Sequence, residues 1–209
     1  MTPNLTLISH PLGLHALSSL RNRATGTAAF REGARRIGLI LAQAVTQDLP
    51  MTTARIETPL EWTEAPVLAG PAPCIVSILR AGTAIQQSML ELIPDAVAGH
   101  IGLARDEDTL RAREYYLKLP PDIGDRLTIL VDPMLATGGS ASTAVTRLRQ
   151  HGAGAIRFAC LLAAPEGLRR FSADHPDVPV FTLAIDRQLD ARGYICPGLG
   201  DAGDRFHGT

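Results

Sequence analysis

Apolar residues in this chain fall into two periods. Short, nearly continuous runs recur at 73–79, 96–104, 127–131, 155–163 and 178–185, rich in Val, Ile, Leu and Ala. Runs of that length and composition predict strands buried on both faces. Between them the period turns helical. Over 30–48 the apolar positions Phe30, Ala34, Ile37, Leu41 and Ala44/Val45 share one face, and Arg31, Glu32, Arg35, Arg36 and Gln43 share the other. The charged face reads as solvated. Further helices are predicted at 83–93, at 141–150 through Ala144, Val145 and Leu148, and at 165–174, with proline in the first turn. Strands alternating with helices of ten to fifteen residues argue for parallel βαβ units with right-handed crossovers. The expected fold is α/β, a mainly parallel central sheet flanked by helices, in a single domain over residues 1–209. The first 26 residues are mixed, with an apolar stretch at 4–8 and a turn at His10-Pro11. Segment 53–69 holds β-like pieces interrupted by Pro59 and Pro66, and reads as a peripheral hairpin.

One segment breaks the pattern. Residues 105–126 carry five basic side chains (Arg105, Arg111, Arg113, Lys118, Arg126) and six acidic ones (Asp106, Glu107, Asp108, Glu114, Asp122, Asp125). An excursion this long between two buried strands suggests a lid or arm. Elsewhere composition mainly excludes. A formal net charge of −1 gives no electrostatic case for nucleic acid or a membrane surface. Cys74, Cys160 and Cys196 form no C-x-x-C pair, so neither a disulfide framework nor a zinc site is indicated. With no leader-like start and no long apolar run, a soluble, cytoplasmic protein is expected.

Candidate chemistry concentrates at 127–140, LTILVDPMLATGGS. A buried strand runs into Asp132, turns through Pro133, Met134, Leu135 and Ala136, and reaches Thr137-Gly138-Gly139-Ser140 before a helix. The glycines let backbone N–H groups approach an anion, the hydroxyls add donors, and the helix N-terminus adds its unpaired N–H groups and partial positive charge. Asp132 cannot bind phosphate itself; it is placed to accept from sugar hydroxyls or to face a metal. The Gly-Lys-Ser/Thr ending of a Walker loop and the three spaced glycines of a dinucleotide fold are both missing. A second loop, Arg80-Ala81-Gly82, follows the strand at 73–79, where open α/β sheets gather ligand groups. The tail at 193–209, GYICPGLGDAGDRFHGT, is glycine-rich, yet Tyr194, Ile195, Leu199 and Phe206 are spaced to pin an ordered loop.

Four strings carry a resemblance: SILRAG, RDEDTLRAREYYLKLP, VDPMLATGGSA and GYICPGLGDAGDR. Together and in this order they resemble the type I phosphoribosyltransferases, in the form found in the uracil phosphoribosyltransferases. The resemblance spans most of the chain. It implies transfer of a phosphoribosyl group from phosphoribosyl pyrophosphate (PRPP) to uracil, giving UMP and diphosphate in pyrimidine salvage. In that frame residues 132–140 with Asp201 hold PRPP, joined by Arg80 and Arg105 on the pyrophosphate. Residues 105–126 form the arm over the active site. Ile195, Gly200, Asp201 and Ala202, in the base-binding loop at 193–209, frame uracil, and the catalytic set is Asp132, Arg105 and Asp201. Mg²⁺ would be bound mainly through PRPP, with no dedicated protein metal site. The resemblance also brings GTP as an effector and a homo-oligomer.

Three departures bear on the arm and the pyrophosphate loop: Ala104 where an aromatic often stands, Arg111-Ala112 in place of Glu-Pro, and Thr83-Ala84 after Gly82. Two alternatives stay open at this level: an RNA-binding regulator of pyrimidine genes, and a transferase for another nucleobase.

Overall fold

The computed structural model describes residues 4–105 and 112–209. In chain order the elements are β1 (Leu5–Leu7), α1 (Pro11–Arg21), α2 (Thr27–Val45), β2 (Met51–Glu57), β3 (Trp62–Leu68), β4 (Cys74–Leu79), α3 (Thr83–Leu92), β5 (Val97–Arg105) and β6 (Ala112–Lys118). They continue with β7 (Thr128–Val131), β8 (Met134–Leu135), α4 (Gly139–Gln150), β9 (Ile156–Ala163), α5 (Pro165–Asp174), β10 (Val180–Ile185), β11 (Gln188–Leu189), β12 (Ile195–Cys196) and α6 (Ala202–His207). The main sheet runs β1-β10-β9-β7-β4-β5-β6, with β8 paired to β9. Every pairing in it is parallel except β5 with β6.

Helices cover both faces, and the strands sort their side chains accordingly. Ile75, Ile129, Val131 and Leu161 join a core with Leu17 and Leu20 of α1, Phe30, Ile37 and Leu41 of α2, and Ile85 and Met89 of α3. Their neighbours Cys74, Val76, Leu130, Phe158 and Cys160 face Ala144, Val145 and Leu148 of α4 and Leu168 and Phe171 of α5. Alternate residues therefore enter different cores, which explains runs without polar alternation. Each large aliphatic or aromatic side chain so buried contributes about 1.5–3 kcal/mol.

The central α/β pattern follows the periodicity, and α5 matches residue for residue. Three readings need correction. The first 26 residues, read as mixed with a turn at His10-Pro11, hold a helix at 11–21: proline occupies its first turn, and Gly13, Ala16, Leu17 and Leu20 form its buried stripe. The tail is not all loop, since Ala202–His207 is helical. Part of the stretch read as an arm, 105–126, is regular structure. Residues 112–118 form the antiparallel edge of the main sheet, and 123–125 a 3₁₀ turn. An edge strand needs no apolar run, so its Arg, Glu and Tyr positions resemble solvated loop. The reading of 106–111 as lid, with Arg111, lies outside the described residues. The hairpin expected near 53–69 is present as β2–β3, in a sheet of its own.

Candidate active site

The carboxyl ends of β4, β7 and β10 carry the candidate groups. After β7, Asp132 donates its N–H to Ala159 O at 3.2 Å, and the Pro133 carbonyl accepts from Leu161 and Leu162 of β9 at 3.0 and 3.2 Å. The chain then pairs briefly with β9 as β8 before it reaches Thr137. Gly138 has φ of 78°, the left-handed region, and a Cβ there would lie 2.9 Å from Gly167 O. Only glycine adopts this turn without strain. The first turn of α4, whose N–H groups have no helical acceptor, lines a cavity of about 70 Å³. Asp132, Met134, Leu135, Ala136, Thr137, Gly138, Gly139 and Ser140 all line that cavity, with Ala141.

Two backbone approaches fix the floor of the site. A Cβ on Gly82 would stand 2.5 Å from Val131 O and 2.7 Å from Ile78 O. A Cβ on Gly167 would collide with the carbonyls of Ala136 and Leu135. Neither space admits alanine. Thr83, one of the departures, starts α3 and donates its hydroxyl to Arg80 O at 2.7 Å.

A second cavity, about 230 Å³, is lined by Asp132, Pro133, Met134 and Ala136 on one side and by Tyr194, Ile195, Gly200, Asp201 and Ala202 on the other, with Ala81, Gly193 and Gly203. Asp132, Met134 and Ala136 belong to both cavities, which are therefore adjoining. Asp132 keeps partial solvent exposure, yet its carboxyl is set deep in the fold. Desolvation pushes its pKa up to about 8, against a smaller opposing pull from the Met134 backbone.

The structure brings together residues 132–140 with Ile195, Gly200, Asp201 and Ala202. Arg80 is exposed at the rim, 3.5 Å from the Asp204 carboxylate, and lines neither cavity. Arg105 ends β5, opposite Ala112 of β6. Asp201 caps α6, accepting from the Asp204 N–H at 2.9 Å. Sequence reasoning missed Ala81, Gly193, Tyr194 and Gly203 as lining residues, although all lie in strings already singled out. It also missed the pairing of Arg21 with the Asp186 carboxylate and of Arg205 with the carbonyls of Leu20 and Asn22, all far apart in sequence.

A parallel sheet with an anion-sized nest after one central strand and a second cavity against it has the phosphoribosyltransferase fold. The adenine phosphoribosyl transferase from Trypanosoma brucei, solved in complex with AMP, pyrophosphate and ribose-5-phosphate, shares it. The TM-score is 0.57 at 14% identity, over 91% of this chain and 87% of that one. The AQ2163 protein from Aquifex aeolicus is 32% identical with a TM-score of 0.92, covering 97% of each chain. A family model described as uracil phosphoribosyltransferase matches residues 7–209. The uracil phosphoribosyltransferase of Sinorhizobium medicae (strain WSM419) is 55% identical over 205 residues, 98% of either chain. The chain belongs to the uracil phosphoribosyltransferase family.

Proposed function

We propose that this chain transfers the phosphoribosyl group of PRPP to uracil, with residues 1–209 acting as one catalytic unit. The observation that carries this reading is the sharing of Asp132, Met134 and Ala136 by the two cavities. A ribose between them would have its 5-phosphate in the N–H nest of α4 and its anomeric carbon toward the larger cavity. The bond from C1 to the diphosphate oxygen breaks, the bond from C1 to uracil N1 forms, and the N1 proton passes to a diphosphate oxygen. Charge builds on the diphosphate while the ribose takes oxocarbenium character. Catalysis then consists of positioning and electrostatic stabilisation, with no protein nucleophile.

In this reading Asp132 accepts from the ribose hydroxyls, and Arg80 and Arg105 neutralise the diphosphate. Gly200, Asp201 and Ala202 present backbone groups to the base edge, with Ile195 against its face. The two cavities hold the carboxylates of Asp132 and Asp201 among mainly N–H and hydroxyl donors. That donor set suits Mg²⁺ arriving on PRPP oxygens rather than in a protein cage. GTP as effector and a cytoplasmic location follow from the family resemblance; among the described residues no helix is long and apolar enough to cross a membrane. A homo-oligomer is supported by the β2–β3 ribbon. A two-stranded sheet is marginal by itself, and this one exposes Met51, Trp62 and Leu68 by half or more.

The test is product analysis with PRPP, Mg²⁺ and each of uracil, cytosine, hypoxanthine and adenine. UMP from uracil alone is expected. A nucleotide from another base, or none from uracil, overturns the reading.

A further inference from the structure

We propose that Arg21, on a helix that lines neither cavity, is a positioning residue for base recognition. It acts with Asp186 by gripping a single residue of the base loop, Gly198. Asp186 follows β10 and is buried, and its own N–H is tied to Ala163 O of the sheet at 2.9 Å. Its Oδ1 accepts from Arg21 Nη2 at 2.6 Å, and its Oδ2 accepts from Arg21 Nη1 at 2.7 Å and from the Gly198 N–H at 2.8 Å. Arg21 Nη1 also donates to the Gly198 carbonyl at 2.9 Å. Both backbone groups of Gly198 are thus held by one carboxylate–guanidinium unit, anchored in the sheet on one side and in the last turn of α1 on the other.

Gly198 lies between Ile195 and Gly200, both of which line the larger cavity. A second guanidinium holds the same loop further along. Arg205 lies 4.5 Å over the Phe30 ring, and donates to Leu199 O at 2.8 Å, to Asn22 O at 2.8 Å and to Leu20 O. The end of α1 and the loop are therefore fastened to each other twice. Leu17 and Leu20 pack in the same core as Ile195, Leu199 and Ala202.

The chemistry explains why arginine is needed. A pocket that reads a base by backbone N–H and C=O groups depends on where the loop backbone stands, because no side chain can swing to compensate. Lysine would keep the charge, but cannot hold both Asp186 oxygens and the Gly198 carbonyl in one plane. Removing the guanidinium leaves Asp186 as a buried, underpaired charge that pulls on the Gly198 N–H alone.

This inference rests on the uracil reading, so wild-type turnover of uracil is measured first, and its failure would count against that reading alone. Given wild-type turnover, Arg21→Lys is expected to raise KM for uracil about tenfold or more while KM for PRPP stays within about twofold. Amide hydrogen exchange across 195–202 is expected to quicken in the substrate-free variant. A double variant, Arg21→Met with Asp186→Leu, removes the buried charge and is expected to recover thermal stability relative to Arg21→Met, with uracil KM still raised. Equal shifts in both KM values, an unchanged uracil KM, or unchanged exchange at 195–202 overturns the positioning role.

Discussion

Glu114 of β6 and Arg147 of α4 form a two-contact bridge, Nε and Nη2 donating to the carboxylate at 2.7 and 3.1 Å. It ties the returning edge strand to the helix whose first turn forms the phosphate-sized cavity. Arg147 holds the Glu114 carboxyl below the usual glutamate range. A lowered folded pKa stabilises the fold above the unfolded pKa, and that stability is lost as pH falls through the folded value. Glu114→Gln is expected to cost about 1 kcal/mol at neutral pH, roughly 2–4 °C in Tm. The gap to wild type should close in strongly acidic buffer, and melting curves at the two pH values check it.

Asp132 has the opposite sign. Its folded pKa of about 8 lies above the unfolded value, so wild-type stability falls as pH rises from about 4 to about 8. Asparagine cannot ionise. Asp132→Asn is therefore expected to gain stability over wild type across that window, by an amount on the order of a few kcal/mol at its alkaline end. At pH 9, where the wild-type carboxyl is ionised, turnover is expected to drop about 10²–10³-fold through loss of charge beside the reacting ribose, and at pH 5 the two are expected to differ less. Chemical denaturation at pH 5 and 9, with kcat on the same samples, tests both.

Gly138→Ala places a methyl group 2.9 Å from Gly167 O on a left-handed backbone. The expected result is a KM for PRPP raised about tenfold or more, with stability lowered by about 1–2 kcal/mol. Uracil KM should move little, because Gly138 lines the smaller cavity alone. Initial-rate kinetics with each substrate varied would show it.

Asp201 offers a sharper test of how the base is read. Its carboxylate caps α6, and asparagine caps nearly as well, so Asp201→Asn should fold normally. The uracil-over-cytosine ratio of kcat/KM is expected to hold within about threefold while the rate falls. Gly200→Val, at a φ of 80° in the cavity wall, should abolish uracil use. If Asp201→Asn instead admits cytosine, the side chain and not the backbone reads the base.

The sheet and its flanking helices were legible because both strand faces are buried, leaving apolar runs that contrast with the helical period of α2 and α5. The strand–loop–helix at 127–150 was legible because it is local: strand, glycines, hydroxyls and helix are consecutive. Legibility failed where pairing partners are distant. β6 looked like loop because an edge strand exposes Arg113, Tyr115 and Tyr116. The helix α1 was hidden by the small, mixed residues around its short stripe. The contacts of Arg21 with Asp186 span 165 residues, and no local pattern announces them.

Gly82 and Gly167 carry a thermodynamic consequence. Each sets backbone directly against backbone, α3 on the ends of β4 and β7, and α5 on the turn at Leu135-Ala136. No rotamer separates these surfaces, so the entropy of fixing the loops at 80–82 and 132–136 is lost when the chain folds and not when a ligand arrives. A ligand bound beside these loops would need little further ordering of them, which would leave more of the contact energy as affinity. Adaptation to the substrate falls to groups outside those two joints.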